Sequence, residues 1–381
     1  MDELPMSEKH RAALNGLREE FAEIIDLRQP GKVQQPLPEV LLSGLCGMIC
    51  GCDDYSAMAE FAKHRLEWLR EFLPMEAGAP SHDTFRNVFM MVRPEEFAAA
   101  LGSWSGPAGT GHFCIDGKAI RSSFDREQGK CLVHLLRAWI DERSLCAGQV
   151  ACEEKSNEIE AIPRLLDTLQ LEGATVTIDA AGCQTAIAEQ IDEAGGAYVL
   201  ALKANQGQAH RVVAEYFGTS AGSSYAMTEE HSHGRYEKRE CWVEEDLGFF
   251  GKSWKWQGLR CVARIRRETC RPGSRGSDGN EATLEEHYYL CSTPPDAATV
   301  LGLVRRHWGI ENRCHWTLDV VFGEDANPVR DRTAARNLST LRDLAIHLLR
   351  SHPSKATLPK KRLKAMLDPN FRAEIICPLH A

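Results

Sequence analysis

The chain has 381 residues, of which 43% are hydrophobic and 26% charged, which excludes a disordered or fibrous protein and predicts two or three domains. No window approaches eighteen consecutive apolar residues, and the polar start MDELPMSEKH does not resemble a secretory signal, so we expect a cytoplasmic protein. Its fourteen cysteines are then expected to be mostly reduced. The one cluster of cysteines is CGMICGC, with Cys46, Cys50 and Cys52. Because it is apolar and contains no C-x-x-C pair, we expect these cysteines to pack in a helix and not to bind zinc.

Charge is unevenly distributed along the chain, although its net value is −9. Residues 301–365 carry 13 Lys and Arg against 6 Asp and Glu, whereas residues 1–300 carry 31 against 46. A second basic stretch, Lys252 to Arg275, mixes Arg and Lys with Trp254 and Trp256. A strand with solvated Arg on one face and Trp in the core explains that stretch equally well. Taken together, the two basic regions point to DNA or RNA.

The first 105 residues are predicted to be mostly helical. Ala12 to Leu27 is a charged amphipathic stretch, Leu37 to Cys52 is apolar, and PSHDTFRNVF opens with the cap-forming residues Ser81 and Asp83. Two interpretations remain open for this region. It is either a DNA-contacting or dimerising module or a helical cap on the next domain.

From about residue 110 the pattern changes to strands. GHFCIDGKAI, KCLVHLLRAWIDER and SLCAGQVACEE predict three strands, and SNEIEAIPRLLDTL predicts a helix with a capping box from Asn157 and Glu160. Residues 174–178, 184–194 and 197–203 then predict strand, helix and strand. Three antiparallel strands followed by helix, strand, helix and strand is the ribonuclease H-like order within the α/β class. Residues 218–290 predict a β-rich insertion.

TIDAAGCQ, residues 177–184, places one carboxylate and three small residues directly after an apolar strand. Asp179 therefore lies at the carboxyl end of a strand, where ligands gather in open α/β sheets, and the small residues leave room beside it. An isolated Asp at such a turn is also explained by hydrogen bonds from nearby backbone N–H groups. A single aspartate does not decide between these interpretations.

A second carboxylate appears in the same setting in FCIDGKAI, where Asp116 follows an apolar strand and precedes Gly117. If the two strands are neighbours, Asp116 and Asp179 come close together. Paired carboxylates either share a proton or bind a divalent cation, because like charges raise each other's pKa.

A third acid would favour the metal. PPDAATVLGLVRRHWGIENRCHWTLDVVF predicts a helix capped by Asp296, on which Glu311, His315 and Asp319 recur every four residues on one face. A surface helix with its acids paired to local arginines is the alternative. The acidic pair that follows, Glu324–Asp325, is best explained as part of a solvated loop that caps a helix, unless it supports Arg330 or Arg332.

These residues resemble a known family, the insertion-sequence transposases of the ISAs type with an Asp-Asp-Glu triad, which include the H-repeat-associated proteins. The resemblance covers nearly the whole chain. Its motifs are IDGK (115–118), KSNEI (155–159), TIDAAGCQ (177–184), LKANQ (202–206), HGRYEKR (233–239), HWGIENRCHWTLDVVFGED (307–325) and ARNLSTLR (335–342).

The resemblance implies a DNA transposase with a ribonuclease H-like core that uses Mg²⁺ or Mn²⁺, with two ions expected. The triad would be Asp116, Asp179 and Glu311. The protein would cleave element ends and join the 3′-hydroxyl to target DNA by transesterification. The implied partners are terminal inverted repeats and target DNA, bound by a homodimer or higher multimer at the nucleoid.

The implied domains are an N-terminal helical transposase-associated domain (1–105), a catalytic domain (106–350) with the insertion 218–290, and a basic tail (351–381). The candidates for DNA contact are Lys203, Arg235, His315, Arg336 and Arg342. A Lys at a strand end is often merely solvated, and His315 is equally explained as a buried side chain.

Two other classes of function remain open. A metal-dependent nuclease of the same fold would share the triad without joining DNA. A domesticated, immobile DNA-binding protein would bind the repeats and would not need the triad.

Overall fold

The computed structural model describes residues 7–105, 111–125, 130–131, 133–152, 158–232, 235–250, 254–270 and 283–376. Contacts within the chain separate it into two compact units: residues 1–108, 117–157 and 311–381 form the first, and residues 109–116 and 158–310 form the second. In the described part of the chain, none of the helices combines the length and apolar character that crossing a bilayer requires.

The first unit is mainly helical. The longest of its described helices is capped by Asp331, whose carboxylate accepts a hydrogen bond from the Ala334 backbone N–H at 2.8 Å. Labelled in chain order through both units, its helices are α1 Glu8–Ala22, α2 Leu37–Ile49, α3 Tyr55–His64, α4 Leu66–Leu69, α5 His82–Met91, α6 Pro94–Ser105, α11 Trp316–Val320, α12 Arg332–Ser351, α13 Leu358–Leu367 and α14 Pro369–Ile376. α12 packs against α2, α5 and α6, so it links the N-terminal helices to the rest of this unit.

The first unit also contains strands in addition to the end of β1 (His112–Ala119). They are β2 Phe124–Asp125, β3 Lys130–Cys131, β4 His134–Ile140 and β5 Leu145–Cys152. The order here is β5-β4-β1, and β2 pairs only with β3. A small apolar cluster of Ile120, Val133, Leu135 and Ala335 joins the strands to α12.

The second unit is an α/β sheet. Its strands are β1, β6 Thr175–Ile178, β7 Ala197–Leu202, β8 Ser224–Ser232, β9 Arg235–Glu244, β10 Cys261–Cys270 and β11 Thr283–Cys291, and its helices are α7 Glu158–Leu166, α8 Thr185–Glu193, α9 Gly207–Thr219 and α10 Ala297–Gly309. The order is β1-β6-β7-β11-β10-β9-β8, in which β1, β6 and β7 are parallel and the pairs from β7 onward are antiparallel. Apolar residues of α10, including Val300, Leu303 and Val304, pack on β9, β10 and β11.

The predicted mixed α/β class is confirmed. Each strand and helix predicted between residues 110 and 203 is present, and the predicted β-rich segment contains β8 to β11. Ser81 and Asp296 cap α5 and α10 as predicted. Cys46, Cys50 and Cys52 are buried in and just after α2, as helix packing predicts. Asn157 of the predicted capping box lies outside the described residues.

The predicted helix runs on through Glu311, His315 and Asp319, but the expectation that they recur on one face of a regular α-helix is wrong. α10 ends at Gly309, and the chain continues as a π-helical segment, Ile310–His315, before α11 begins. In a π-helix the hydrogen bond runs from residue i to i+5, so residues four apart no longer lie directly above one another. Glu311 is accordingly exposed, whereas His315 is partly buried.

The segment predicted as a basic tail is folded into helices as far as residue 376. α13 and α14 occupy most of it, and Lys361, Arg362 and Arg372 are buried there. Their charged groups contact backbone carbonyls: Arg372 Nη1, for example, donates to the Ala365 carbonyl at 2.9 Å. Part of the positive charge counted in this region is therefore not available at the surface.

Candidate active site

Asp116 and Asp179 occupy equivalent positions on two neighbouring parallel strands. β1 and β6 pair in register up to Ile115, which lies opposite Ile178. Asp116 and Asp179 are the next residues along each chain segment, so the register brings them to the same end of the sheet, and both are partly buried. Neighbouring strands lie about 4.8 Å apart, which is close enough for carboxylates at such positions to share one cation.

The turn after Asp179 is a 3₁₀ turn, Ala180–Gly182, that packs back on its own strand. Asp179 Oδ1 accepts a hydrogen bond from the Ala181 backbone N–H at 3.0 Å. A Cβ added at Gly182 would stand 2.3 Å from Ile178 Cγ2. Glycine is therefore required at this position by packing, in addition to the room for a ligand that the sequence predicts beside the carboxylate.

We expect Gly182→Ala to lower the free energy of unfolding by about 1–3 kcal/mol, because the new methyl group must displace Ile178 and Ile162. Chemical denaturation measures the change. Gly207→Ala is the matched control, since no atom lies within 4 Å of its added Cβ at the start of α9, and Ala favours a helix by about 1 kcal/mol. Equal denaturation midpoints for Gly182→Ala and the wild type would contradict the packing argument.

The carboxyl group of Asp179 lies in a partly desolvated and acidic environment. Burial raises its pKa above the ordinary value, and the charge of Glu158, a buried residue at the start of α7, adds to the rise. Hydrogen bonds from the turn and the positive charge of Lys203 act in the opposite direction. A nearby cation favours the charged form of such a carboxyl, so the environment suits cation binding.

Lys203 is exposed and follows β7 directly, before the 3₁₀ turn Ala204–Gln206. β7 is the parallel neighbour of β6, which is in turn the neighbour of β1. Asp179 and Lys203 therefore follow the ends of two adjacent parallel strands, and Asp116 lies in β1 just after the residues that pair with β6. In open α/β sheets this edge is where ligands bind.

The C-terminal end of α10 packs on β1 and β6 just before the two aspartates. Cys114 Sγ donates to the Arg306 carbonyl at 3.5 Å, and Thr177 Oγ1 lies 2.9 Å from His307 Nδ1. Cys114 and Thr177 are partners in the strand register, and each lies two residues before an aspartate, on the same face of the sheet. Glu311 follows His307 by four residues in the sequence.

In the first unit, β1 continues into a buried network of charges centred on Lys118. Lys118 Nζ lies 2.7 Å from Asp319 Oδ1, 3.0 Å from Glu324 Oε2 and 3.3 Å from Asp325 Oδ1. Burial alone would lower the pKa of Lys118, but Glu324 and Asp319 raise it above its ordinary value. The ammonium group therefore remains charged, two residues after Asp116 in the sequence.

Glu324 is the most enclosed acid of this network, with 0% of its surface exposed. Its Oε1 accepts a hydrogen bond from Ser339 Oγ at 2.5 Å and lies 3.6 Å from Arg137 Nη2 and 3.8 Å from Arg342 Nη1. Burial by itself would raise the pKa of Glu324, but the neighbouring cations lower it to about 2. The interpretation of Glu324 as part of a solvated loop is wrong.

The other residues predicted to contact DNA lie in different environments. Arg336 pairs with Glu95 at 2.6 Å, and Arg235 begins β9 with its side chain outside the described part of the chain. Arg342 is 2% exposed, so its guanidinium does not reach the surface. Burial and two neighbouring cations lower the pKa of His315 to about 3, so its ring is neutral.

Within the described residues, no three His, Cys, Asp or Glu side chains form a group that could hold a metal ion. The site therefore offers the aspartate pair, with Glu158 as a nearby charge. Sequence reasoning missed Glu158, Lys118 and His307 as parts of this region. Their presence in the motifs KSNEI, IDGK and HWGIENRCH was the signal that could have identified them.

Comparison with known proteins shows the family. Residues 107–349 match the family model described as Transposase DDE domain, and residues 18–105 match a model described as DDE_Tnp_1-associated. The chain belongs to the DDE transposase family. The resemblance stated from the sequence motifs is thereby confirmed.

Relatives of this DDE transposase match nearly its whole length. The H repeat-associated putative transposase YhhI of Escherichia coli (strain K12) is 34% identical over 378 residues, which cover 95% of this chain and 98% of the relative. Putative transposase YncI of Escherichia coli O157:H7 is 34% identical over 379 residues, 96% of this chain and 95% of the relative.

The chain is also similar to a solved structure, that of the piggyBac transposase synaptic complex with hairpin DNA. The match covers 97% of this chain and 80% of that one, with 10% identity and a TM-score of 0.42. A similarity of this size does not establish a shared fold.

Proposed function

We propose that the chain cleaves the ends of an insertion element and joins the freed 3′-hydroxyl to target DNA, with Asp116, Asp179 and Glu311 as its acidic triad. The observation that carries the proposal is the register of β1 and β6, which brings two aspartates to equivalent positions on neighbouring strands. The path of α10 supports the third acid, because the helix packs on these strands one turn before Glu311.

A divalent cation such as Mg²⁺ or Mn²⁺ fits the donors of this site, because carboxylates are the hard oxygen ligands that these ions prefer. Mg²⁺ is usually held by one or two protein carboxylates, with waters and substrate phosphates as the other ligands. The Asp116–Asp179 pair therefore needs no preformed cluster of three side chains. When bound, two such ions supply an activated nucleophile, charge neutralisation at phosphorus and a stabilised leaving oxygen.

The chemistry proceeds by two displacements at phosphorus. In the first, water attacks the phosphodiester at the element end, and the bond to the 3′ oxygen breaks to leave a free 3′-hydroxyl. In the second, that hydroxyl attacks a target phosphodiester, so one P–O bond forms as another breaks and no nucleotide cofactor is needed. Asp116, Asp179 and Glu311 would hold the ions beside the reacting phosphate, and Lys203 would contact a neighbouring phosphate.

We infer a ribonuclease H-like core for this catalytic domain. The order β5-β4-β1 in the first unit and β1-β6-β7 in the second supports it, as does the alternation of α7, β6, α8 and β7. The proposed domains remain residues 1–105, 106–350 with the insertion 218–290, and 351–381. Because a transposition event must hold two element ends, we propose a homodimer or higher multimer on double-stranded DNA.

The test uses purified protein, a labelled fragment that carries the terminal repeats flanking its own gene, and a target plasmid. With Mg²⁺ we expect nicked ends followed by joined products, and with EDTA in place of Mg²⁺ we expect neither. A fragment with scrambled repeats is the matched DNA control. Joined products that depend on both the metal and the repeats support the proposal.

Two outcomes contradict the proposal, and each identifies an alternative. End cleavage without any joined product indicates a nuclease of the same fold. Binding of the repeats without cleavage, equal in Mg²⁺ and in EDTA, indicates a DNA-binding protein whose triad is idle.

A further inference from the structure

Two buried side chains of the second unit, His112 and Thr177, meet the partly buried His307 at the hydroxyl group of Thr177. His112 Nε2 lies 2.8 Å from Thr177 Oγ1, and His307 Nδ1 lies 2.9 Å from the same atom. The hydroxyl also lies 3.4 Å from the Phe113 carbonyl, to which it can donate. One hydroxyl therefore links β1, β6 and the C-terminal end of α10.

The two imidazoles of this network are neutral. Burial lowers the pKa of His112 to about 3, and the positive charge of Arg306 acts in the same direction. Burial also lowers the pKa of His307 to about 4. Neutral rings each carry one N–H and one acceptor nitrogen, so the Thr177 hydroxyl can bond to both of them. Because these groups are shielded from water, the loss of one of their hydrogen bonds costs free energy.

The network lies at the C-terminal end of α10, where this helix contacts β1 and β6. Further back, α10 packs on the sheet through apolar residues such as Val300 and Val304, and apolar packing is non-directional. A hydrogen bond is directional, so the contact from His307 to Thr177 selects one position of the helix along β6. Thr177 lies two residues before Asp179, and His307 lies four residues before Glu311.

We propose that Thr177 is a positioning residue, which uses its hydroxyl between His112 and His307 to fix the end of α10, which leads into Glu311, on the strands β1 and β6 that carry Asp116 and lead into Asp179. The inference rests on the proposed function. It adds a residue that touches neither DNA nor metal but fixes the end of the helix that leads into Glu311.

The test compares three substitutions in β6. Thr177→Val removes the hydroxyl and keeps the shape of the side chain, and Thr177→Ser keeps the hydroxyl. Thr175→Val is the matched control, because it makes the same change in the same strand, on the same face, two residues away from Thr177. Thermal unfolding followed by circular dichroism establishes that each variant is folded.

Two readouts separate positioning from general weakening of the strand. For DNA joining, Thr177→Val is expected to lower kcat about 10- to 100-fold with an unchanged KM for element ends, since a displacement of about 1 Å costs this much. In DNA-free protein, the Mn²⁺ dissociation constant measured by electron paramagnetic resonance is expected to rise about 10-fold. Thr177→Ser and Thr175→Val should match the wild type in both.

Each contrary result has a distinct meaning. A wild-type protein that neither binds Mn²⁺ nor joins DNA overturns the proposed function, and this inference with it. An active wild type whose turnover and Mn²⁺ affinity Thr177→Val leaves unchanged overturns the inference alone. Equal losses in Thr177→Val and Thr177→Ser, or in Thr177→Val and Thr175→Val, also overturn it. If Thr177→Val does not fold, His307→Phe is judged by the same two readouts.

Discussion

Replacing Glu324 with glutamine is expected to lower the free energy of unfolding by about 3–5 kcal/mol, the usual cost of breaking a buried ion pair from one side. Glu324 is fully buried and lies within 4 Å of three cations, Lys118, Arg137 and Arg342. The amide keeps the shape and the hydrogen bond from Ser339 but removes the charge. The cations then remain buried with less compensation.

Chemical denaturation measures this loss, and an exposed pair of the same unit provides the control. Glu95 pairs with Arg336 at 2.6 Å, but its side chain is 73% exposed. Glu95→Gln is expected to change the free energy of unfolding by less than about 1 kcal/mol, because water screens such a pair. Similar small losses in both variants would show that the cations around Glu324 are adequately balanced without it.

The stabilisation by Glu324 should depend on pH in a direction set by its pKa. Folding lowers that pKa from 4.5 to about 2, so the charged form is favoured in the folded state. Such a group contributes its full stabilisation above a pH of about 4.5 and loses it as the pH falls toward about 2. The difference in free energy of unfolding between wild type and Glu324→Gln should therefore be constant near neutral pH and become smaller on acidification. A free-energy difference that grows as the pH falls would contradict the lowered pKa of Glu324.

The sequence located the aspartate pair because the signal for it is local. Each aspartate follows a short apolar run and precedes a small residue, so the strand end and the carboxylate are both readable from a few neighbouring letters. Parallel strands that are neighbours must end at the same edge, which is why a pattern at Asp116 and another at Asp179 predicted one site. The register of β1 and β6 agrees with that prediction.

What the sequence could not provide is long-range pairing and the path of the helix. Lys118 and Glu324 are separated by 206 residues, and nothing in the letters around Glu324 shows that its carboxylate is fully buried. The spacing of Glu311 and His315 predicts one helix face only if the helix is regular, and the π-helical segment breaks that rule. Charge counts also mislead where a buried residue such as Arg342 is counted as surface charge.

Neutralising any member of the proposed triad is expected to lower the rate of end cleavage by about 10³-fold or more. The variants are Asp116→Asn, Asp179→Asn and Glu311→Gln, each of which keeps the size of the side chain. Each removes a charged oxygen ligand, and transition-state stabilisation by bound metal is worth several kcal/mol, with about 1.4 kcal/mol for each tenfold change in rate. Rates are measured with labelled element ends in Mg²⁺, and binding of the ends by gel shift should persist.

Glu160→Gln is the matched control for this series, because Glu160 is an exposed acid on α7 in the same unit as Asp179. It should cleave at the wild-type rate. If both Asn variants are inactive while Glu311→Gln is as active as the wild type, the third acid is not Glu311. Glu158 then becomes the residue to replace, because it is buried and its charge already acts on the carboxyl group of Asp179.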